Sequence, residues 1–186
     1  MPSSVDVCNR ALSRVGAARI TSLSEDSKQA RACQSAYPLV RDEVLRAHPW
    51  NSAIARASLA KLSDAPSFGY AAQYQLPADC LRVVEVYDIP WPWVVEGRRL
   101  LTDGGSPLDI RYVRREEDVN QWDALLVNAV AARLAMELCE ELTQSNTKRQ
   151  IATQEYEGFL SRARGADGQE SSPMPFEEDS WINARY

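Results

Sequence analysis

The sequence has little of what enzymes commonly use for catalysis. It contains a single histidine, His48, which Pro49 follows directly. A hydrolase triad needs a histidine beside a serine or cysteine and an acid, and the place of His48 at a predicted helix end favours a structural role. A glycine-rich phosphate loop is also missing, because Gly97, Gly104 and Gly105 fall in predicted hairpin turns. The sequence therefore predicts no enzyme, no catalytic residue and no cofactor-binding residue.

The cysteines lack the spacing of a metal site. Cys8, Cys33, Cys80 and Cys139 form no CxxC pair, and only one histidine could join them as a ligand. We therefore predict no metal. Three of the four, all except Cys80, fall on apolar faces of predicted helices, so buried free thiols in a reducing cytosol are the first interpretation. A disulfide is the alternative.

The sequence also lacks an excess of positive charge and long apolar runs. Its formal net charge is -5, whereas general attraction to nucleic-acid phosphates favours a basic surface. No stretch approaches the roughly 18 apolar residues of a membrane helix, and the N-terminus does not resemble a signal peptide. We expect a protein made in the cytoplasm, with no membrane partner.

Three helices are predicted in the first third of the chain. Residues 3–16 have apolar residues at helical spacing, with Ser3 or Ser4 as the N-cap and a glycine at the end. A second helix is predicted from about Glu25 to Ala47, preceded by Ser24 and either kinked or split by Pro38. A third is predicted over residues 50–62, where Trp50, Ile54 and Ala57 align.

The middle of the chain changes to a pattern typical of β-structure. Residues 63–79 are rich in Pro, Gly, Ser and Tyr and predict a loop. Strands are predicted over residues 81–87 and 108–113, and a tight hairpin is predicted around Glu96-Gly97-Arg98. We expect one antiparallel sheet of three or four strands, inserted at about residues 74–114.

Two more helices are predicted after the sheet. Residues 122–142 are apolar on more than one face, which is typical of a central helix. Residues 148–164 form the last predicted helix, with Ile151, Tyr156, Phe159, Leu160 and Ala163 facing inward. The predicted fold class is α+β, mainly α, with a helical-bundle body at residues 1–165, a small antiparallel β-sheet insertion and an extended C-terminal arm at residues 166–186.

The predicted arm and one loop carry large apolar side chains in polar surroundings. From Gly165 onward the sequence has five acidic residues and one basic residue, a composition that does not fold alone. Its large apolar residues suggest a segment that docks onto a partner. Trp91-Pro92-Trp93, at a predicted loop tip, either forms an exposed interface or covers the small sheet. Arg114-Arg115 beside Glu116-Glu117 predicts an exposed junction, with salt bridges between subunits as the alternative.

Several motifs in order along the chain resemble those of one family. The chain resembles the tail tubular protein A family of short-tailed phages and, in part, the adaptors of gene-transfer agents. The motifs are NRALSRVG (9–16), SEDSKQA (24–30), RDEVLRAHPWN (41–51), YQLPADCLR (74–82), EGR to LTD (96–103) and SW to AR (180–185). The second and third of these lie in the helical part, and the fourth leads into the predicted sheet.

The resemblance implies a structural adaptor at the portal vertex of a virion. It implies a head-tail connector ring of twelve copies between the portal protein and the tail nozzle or stopper protein, with genomic DNA passing through the lumen without sequence-specific binding. It implies that the C-terminal arm reaches into the portal, and the portal-binding residues are then Phe176, Trp181, Ile182, Arg185 and Tyr186. It implies no catalytic residue.

Two other functions are alternatives. A stopper or head-completion protein of the connector would share most of these features but sit one ring further from the portal. A tail-associated wall hydrolase would depend on His48.

Overall fold

The fold is α+β and mainly helical, which confirms the predicted class. The computed structural model describes residues 2–170. Within these residues the elements are α1 (Ser4–Val15), α2 (Lys28–Ala47), a 3-10 turn (Asn51–Ala53), β1 (Ile54–Leu59), β2 (Ala72–Gln75), β3 (Cys80–Val86), β4 (Trp93–Glu96), β5 (Arg99–Thr102), β6 (Leu108–Arg114), a second 3-10 turn (Val119–Gln121), α3 (Ala124–Thr143) and α4 (Asn146–Gln169). Most of the predicted arm lies outside the described residues.

Helix α1 begins and ends as predicted. The Ser3 hydroxyl accepts a hydrogen bond from the backbone N–H of Asp6 at 3.2 Å, and the Asp6 carboxylate accepts one from the backbone N–H of Ser3 at 2.8 Å. This reciprocal arrangement is a capping box, which satisfies N–H groups that the helix itself cannot pair. Gly16 ends the helix with φ 73°, a left-handed conformation that glycine adopts without steric cost.

Helix α2 begins three residues later than predicted. Ser27, and not Ser24, is the N-cap, because its hydroxyl accepts from the backbone N–H of Ala30 at 3.1 Å. The carboxylate of Glu25, predicted in the first helical turn, instead accepts from the backbone N–H of Thr21 at 2.9 Å and closes the preceding turn. Pro38 lies inside α2 without splitting it.

The predicted third helix is wrong. After the 3-10 turn at Asn51–Ala53 the chain forms strand β1, which pairs antiparallel with β6 from Ile54 opposite Val113 to Leu59 opposite Leu108. Strand β2 also forms, inside the segment predicted as a loop. The strand region therefore begins at Ile54, about twenty residues earlier than expected.

The strands form two sheets where one was predicted. The first has the order β1-β6-β3 and the second has the order β2-β5-β4, both antiparallel. The predicted hairpin joins β4 and β5, with Gly97 at φ 59° in the turn. The predicted strands separate into two sheets because β6 pairs with β3 whereas β5 pairs with β4, and the unforeseen strands β1 and β2 add one edge strand to each sheet.

Strand β6 lies between two hydrophobic cores. Val113 belongs to a large core that the four helices build. The residue before it, Tyr112, belongs to a smaller core between the sheets. Adjacent strand residues point to opposite faces, so the first sheet presents one face to each core. The smaller core contains Leu59, Ala72, Tyr74, Leu76, Cys80, Leu100, Leu108, Ile110 and Tyr112.

The two C-terminal helices pack closely on each other. Helix α3 is buried on most of its circumference, as predicted for a central helix. Helix α4 continues to Gln169, five residues past the predicted end, so the predicted boundary of the body at residue 165 falls inside it. The inward placement of Ile151 is wrong, since it is 52% exposed and its neighbour Ala152 packs in the core instead. None of the helices within residues 2–170 has the length and apolar character needed to cross a membrane.

Candidate docking site at the end of the last helix

The five residues predicted to bind the portal lie beyond the described part of the chain. Phe176, Trp181, Ile182, Arg185 and Tyr186 follow Glu170, the last described residue. The structure does describe the place from which this segment leaves the body, which is the C-terminal end of α4. The geometry of that end is therefore the part of the candidate site that can be built from contacts.

Asp167 fixes the end of α4 to the connection between α2 and β1. Its carboxylate accepts a hydrogen bond from the backbone N–H of Asn51 at 2.8 Å and lies 3.1 Å from Nε2 of His48. Its carbonyl oxygen accepts a third hydrogen bond, from Nδ2 of Asn51, at 2.8 Å. The Asp167 side chain is only 15% exposed, whereas Asn51 lies at the surface. Three bonds at one residue hold the last turn of the helix in one position.

His48 is a helix-end residue, as its sequence context predicted. It is the C-cap of α2, and its ring packs edge-on against the ring of Trp50 with centroids 4.6 Å apart. Trp50 is buried, and its indole N–H donates to the carbonyl of Val44 at 2.9 Å. Among residues 2–170 no hydroxyl or thiol is hydrogen-bonded to His48. The geometry thus joins His48 to Asp167 as an anchor for α4.

The beginning of α4 is anchored as well. Nζ of Lys148 donates to the carbonyl of Val15 at 2.7 Å, and so satisfies an oxygen at the end of α1 that the helix leaves unpaired. Two turns further along α4, the carboxylate of Glu155 pairs with Nε of Arg14 at 3.0 Å. Helix α4 is therefore tied to α1 near its start and to the α2–β1 connection at its end.

The charged residues 114–117, at the end of β6 and just after it, form ion pairs within the chain. Nε of Arg115 lies 2.7 Å from the carboxylate of Asp42, and Nη1 of Arg41 lies 3.1 Å from that of Glu117. Arg41 is buried, and its guanidinium group pairs with the carboxylates of Asp42 and Glu117. The pairs link α2 to the segment before α3, which accounts for these charges without a second subunit.

The hairpin region carries exposed aromatic side chains. Trp91 is 52% exposed, Trp93 is 38% exposed and Phe68, in the loop before β2, is 89% exposed. Of the two interpretations of Trp91-Pro92-Trp93, exposure therefore fits Trp91, which leaves most of its ring uncovered. Exposed aromatic side chains are typical of protein–protein contact surfaces.

The four cysteines are free and buried, which confirms the first interpretation of their spacing. The hydrogen bond between the thiols and burial both raise the pKa of Cys8, which lies beside Cys33. Burial also raises the pKa of Cys80 and of Cys139. These three thiols stay protonated near neutral pH and are weak nucleophiles. Within residues 2–170 no group of three or more His, Cys, Asp or Glu side chains is placed to hold a metal ion.

Sequence reasoning did not single out Asp167. A lone aspartate between Gly165 and Gly168 suggests a helix end or a turn, and nothing local indicates a partner more than a hundred residues away. The RDEVLRAHPWN motif contains two residues of this site, His48 and Asn51. It does not contain Asp167, which binds both of them.

Comparison with the models of known protein families gave no match, and comparison with curated proteins gave none either. The motif resemblance to tail tubular protein A thus stays a prediction. What the chain does has to be argued from its anchored last helix, its exposed aromatic side chains and its sequence.

Proposed function

We propose that this protein is a structural adaptor that forms a ring between the portal and the tail of a tailed phage particle, and that residues 171–186 dock onto the portal. The observation that carries the proposal is the anchored end of α4. Three hydrogen bonds at Asp167 fix the point from which the C-terminal segment departs. A docking segment with a fixed origin can reach the same place on a partner in every copy of a ring.

The body supports this role because residues 2–170 form two hydrophobic cores, with buried side chains of α3 and α4 packed in the larger one. We expect this body to stay folded when the segment is bound by a partner. The apolar residues of the segment, including Phe176 and Trp181, are then available as anchors.

Docking must overcome the conformational entropy lost when the segment becomes ordered. Phe176, Trp181, Ile182 and Tyr186 supply four large apolar side chains whose burial offsets part of that cost. Contacts made by Arg185 and by the backbone would have to supply the rest.

A ring also needs contacts between its copies and with the next tail component. Closed rings use two different surfaces of each subunit, one on each side. The aromatic side chains Phe68, Trp91 and Trp93 provide one candidate surface. In this proposal the partners are the portal protein, the nozzle or stopper, and further copies of the chain, twelve in all. DNA passes through the lumen and is not bound in a sequence-specific way.

Truncation after Glu170 tests the docking role. This boundary keeps Asp167, whereas deletion from residue 166 would also remove the anchor of α4 and confuse loss of docking with damage to the body. The truncated and full chains should have the same circular dichroism and thermal unfolding. The full chain should bind purified portal rings in a sedimentation assay, and the truncated chain should lose at least tenfold in affinity.

A substitution control separates the apolar anchors from the length of the segment. Trp181→Ser with Ile182→Ser should weaken portal binding as truncation does, whereas Glu177→Gln with Glu178→Gln should leave it within a factor of three. Portal binding by the truncated chain at full strength would defeat the docking role. Imaging of assembled particles distinguishes the stopper alternative, since a stopper would lie one ring away from the portal.

A further inference from the structure

Strand β4 lies at an uncovered edge of the second sheet. The sheet order β2-β5-β4 places it outermost, and its register with β5 runs without a bulge from Trp93 opposite Thr102 to Glu96 opposite Arg99. All four residues of β4 are at least partly exposed. Among residues 2–170, no hydrogen bond from outside the β4–β5 hairpin reaches the main chain of β4. The edge is therefore open to a further strand.

The hairpin geometry decides which backbone groups of β4 are free. A two-residue turn joins β4 to β5. In such a hairpin the residues that flank the turn bond to each other, and bonded and unbonded positions then alternate along the strand. Glu96 and Val94 therefore bond to β5, whereas the N–H and C=O groups of Trp93 and Val95 point away from the sheet.

Apolar side chains border this edge on both faces of the sheet. Val95 lies opposite Leu100, which is buried in the smaller core, so Val95 and Trp93 continue the apolar face of the sheet past that core. Both are more than a third exposed. On the other face, Phe68 lies in one concavity with Glu96 and is almost fully exposed. A strand added at this edge would bury part of this apolar surface.

Strand β4 is complementary to a second copy of itself. If two β4 strands lie antiparallel across a two-fold axis that passes beside Val94, Trp93 of each copy lies opposite Val95 of the other. Both residues have free backbone groups, so this register gives four hydrogen bonds. A shift by two residues in either direction would place Val95 or Trp93 opposite itself and would keep only two bonds within β4.

The side chains fit the same register. An aromatic side chain opposite a β-branched one, as Trp93 and Val95 would be, is a favourable cross-strand pair. Glu96 would lie opposite Pro92, so no two like charges would face each other. The missing N–H of Pro92 costs no bond there, because that position alternates with the bonded ones.

We infer that the free chain forms a two-fold dimer in which β4 pairs antiparallel with β4 of a second copy. The pairing joins two three-stranded sheets into one sheet with the order β2-β5-β4-β4-β5-β2. A standard protein interface buries about 1,600 Å² in total, and two four-residue strands with the aromatic side chains beside them supply less. The dimer is therefore weak and forms only at high protein concentration.

The dimer would keep the aromatic surface around β4 covered before assembly. A two-fold contact uses the same patch on both subunits and closes on itself, so it does not extend into a ring. Separation of the copies would expose Trp93 for a ring or tail contact. This consequence rests on the proposed function, whereas the dimer concerns the free chain and its test needs no portal. The dimer can therefore fail while the adaptor role stands, and the adaptor role can fail while the dimer stands.

Sedimentation equilibrium of the full chain, from about 10 µM to about 1 mM, tests the dimer. The wild-type mass should rise toward that of two chains. Val95→Pro should keep the mass of one chain, because it removes a free donor of β4 without removing a bond to β5. The control Leu39→Ser removes an exposed apolar side chain of α2 and should leave the dissociation constant within a factor of two. Circular dichroism checks that both variants fold.

Two results of this experiment would overturn the inference. One is a wild-type chain that stays monomeric over the whole range. The other is a folded Val95→Pro chain that dimerises as strongly as the wild type, because the contact would then lie elsewhere.

Disulfide crosslinking tests the register. Val94 would lie opposite itself at a position without hydrogen bonds, where the two Cα atoms are about 4.5 Å apart and within the range for a disulfide. Val94→Cys should therefore form a covalent dimer with oxidised glutathione, seen on non-reducing gels. The matched control is Val95→Cys, whose two copies would lie more than about 7 Å apart and should crosslink at least ten times more slowly.

The native cysteines are buried, so the wild-type chain should not crosslink under the same conditions. Equal rates in the two cysteine variants, or a faster rate in Val95→Cys, would overturn the inferred pairing.

Discussion

Two buried tyrosine hydroxyls differ in whether they have a hydrogen-bond partner, and this decides what each contributes to the free energy of unfolding. The Tyr74 hydroxyl donates to the carbonyl of Gly104 at 3.0 Å and also contacts that of Gly105. Among residues 2–170 the buried Tyr37 hydroxyl has no hydrogen-bond partner, and burial raises the pKa of Tyr37 to about 12. A buried polar group without a partner costs free energy, whereas a paired one contributes a little.

Replacing each tyrosine by phenylalanine should have opposite effects. Tyr37→Phe removes an unpaired buried hydroxyl and should raise the free energy of unfolding by about 1 kcal/mol. Tyr74→Phe leaves the buried carbonyl of Gly104 without its donor and should lower the free energy of unfolding by about 1–2 kcal/mol. Urea unfolding monitored by circular dichroism measures both. Equal losses in the two variants would mean that the Tyr37 hydroxyl has a partner in solution.

Some single residues could be assigned from sequence, and others could not. Ser3 and Gly16 were predicted as helix ends because their roles depend on neighbours within four residues. Asp167 was not, because its role depends on His48 and Asn51, which are distant in the chain. The start of α2 was missed for a related reason: Ser24 and Ser27 are both good N-caps, and the bond from Thr21 to Glu25 decides between them.

At the scale of elements, β1 shows why the third helix was predicted wrongly. The segment is rich in alanine, which favours helices, and its large apolar residues fit a helical spacing. It also alternates, since Ala55, Ala57 and Leu59 face the smaller core while Arg56 and Ser58 face outward. That alternation was a usable signal. What selects the strand is pairing with β6, which a local pattern does not contain.

Helix α4 extends past its predicted end because its last turn is held by other parts of the chain. Gly165 and Gly168 lie in that turn, and each disfavours a helix by roughly 1 kcal/mol relative to alanine. A sequence pattern therefore ends the helix at residue 164. The hydrogen bonds of Asp167 offset this cost in the folded protein.

Asp167→Ala should loosen the end of α4 without unfolding the body. It removes the carboxylate that pairs with His48 and accepts from Asn51, a loss of about 1–3 kcal/mol confined to the last turns. Amides of residues 164–169 should then exchange about 10–100 times faster. The control Asp26→Ala removes an exposed carboxylate that pairs only with Arg31, and it should change nothing in α4. Unchanged exchange in Asp167→Ala would show that packing alone holds the helix end.

Gly168→Ala should strengthen the same turn. Gly168 is helical, and a methyl group there would meet no atom within 4 Å, so the change gains helix propensity of about 1 kcal/mol. Gly97→Ala is the matched contrast, since its methyl group would also meet open space but its φ is 59°. It should destabilise the hairpin by about 1 kcal/mol. Hydrogen exchange at the two sites compares them directly, and equal effects would mean that backbone conformation does not decide the outcome.

At the scale of the whole molecule, charge would decide how the proposed channel meets DNA. The net charge is -5, and Arg14 on the outer side of α1 pairs with Glu155. Arg10, which donates to the neutral amide of Asn128 at 3.0 Å, lies in one concavity with Arg19 and Asp6. The surface there carries charges of both signs. In the proposed ring, subunits of net negative charge would let DNA slide past.

The wild-type chain should therefore bind duplex DNA with a Kd weaker than about 10⁻⁴ M at physiological salt, the weak end of non-specific binding. Fluorescence anisotropy of a labelled duplex measures this. Glu155→Lys releases Arg14 and adds a positive charge, so it should strengthen binding several-fold at 50 mM salt and lose that gain at about 200 mM. Micromolar binding by the wild-type chain with a steep salt dependence would contradict a sliding contact. It would mean that the arginines of α1 give up their protein partners and bind phosphates. In that case Glu155→Lys would not increase the affinity for DNA further.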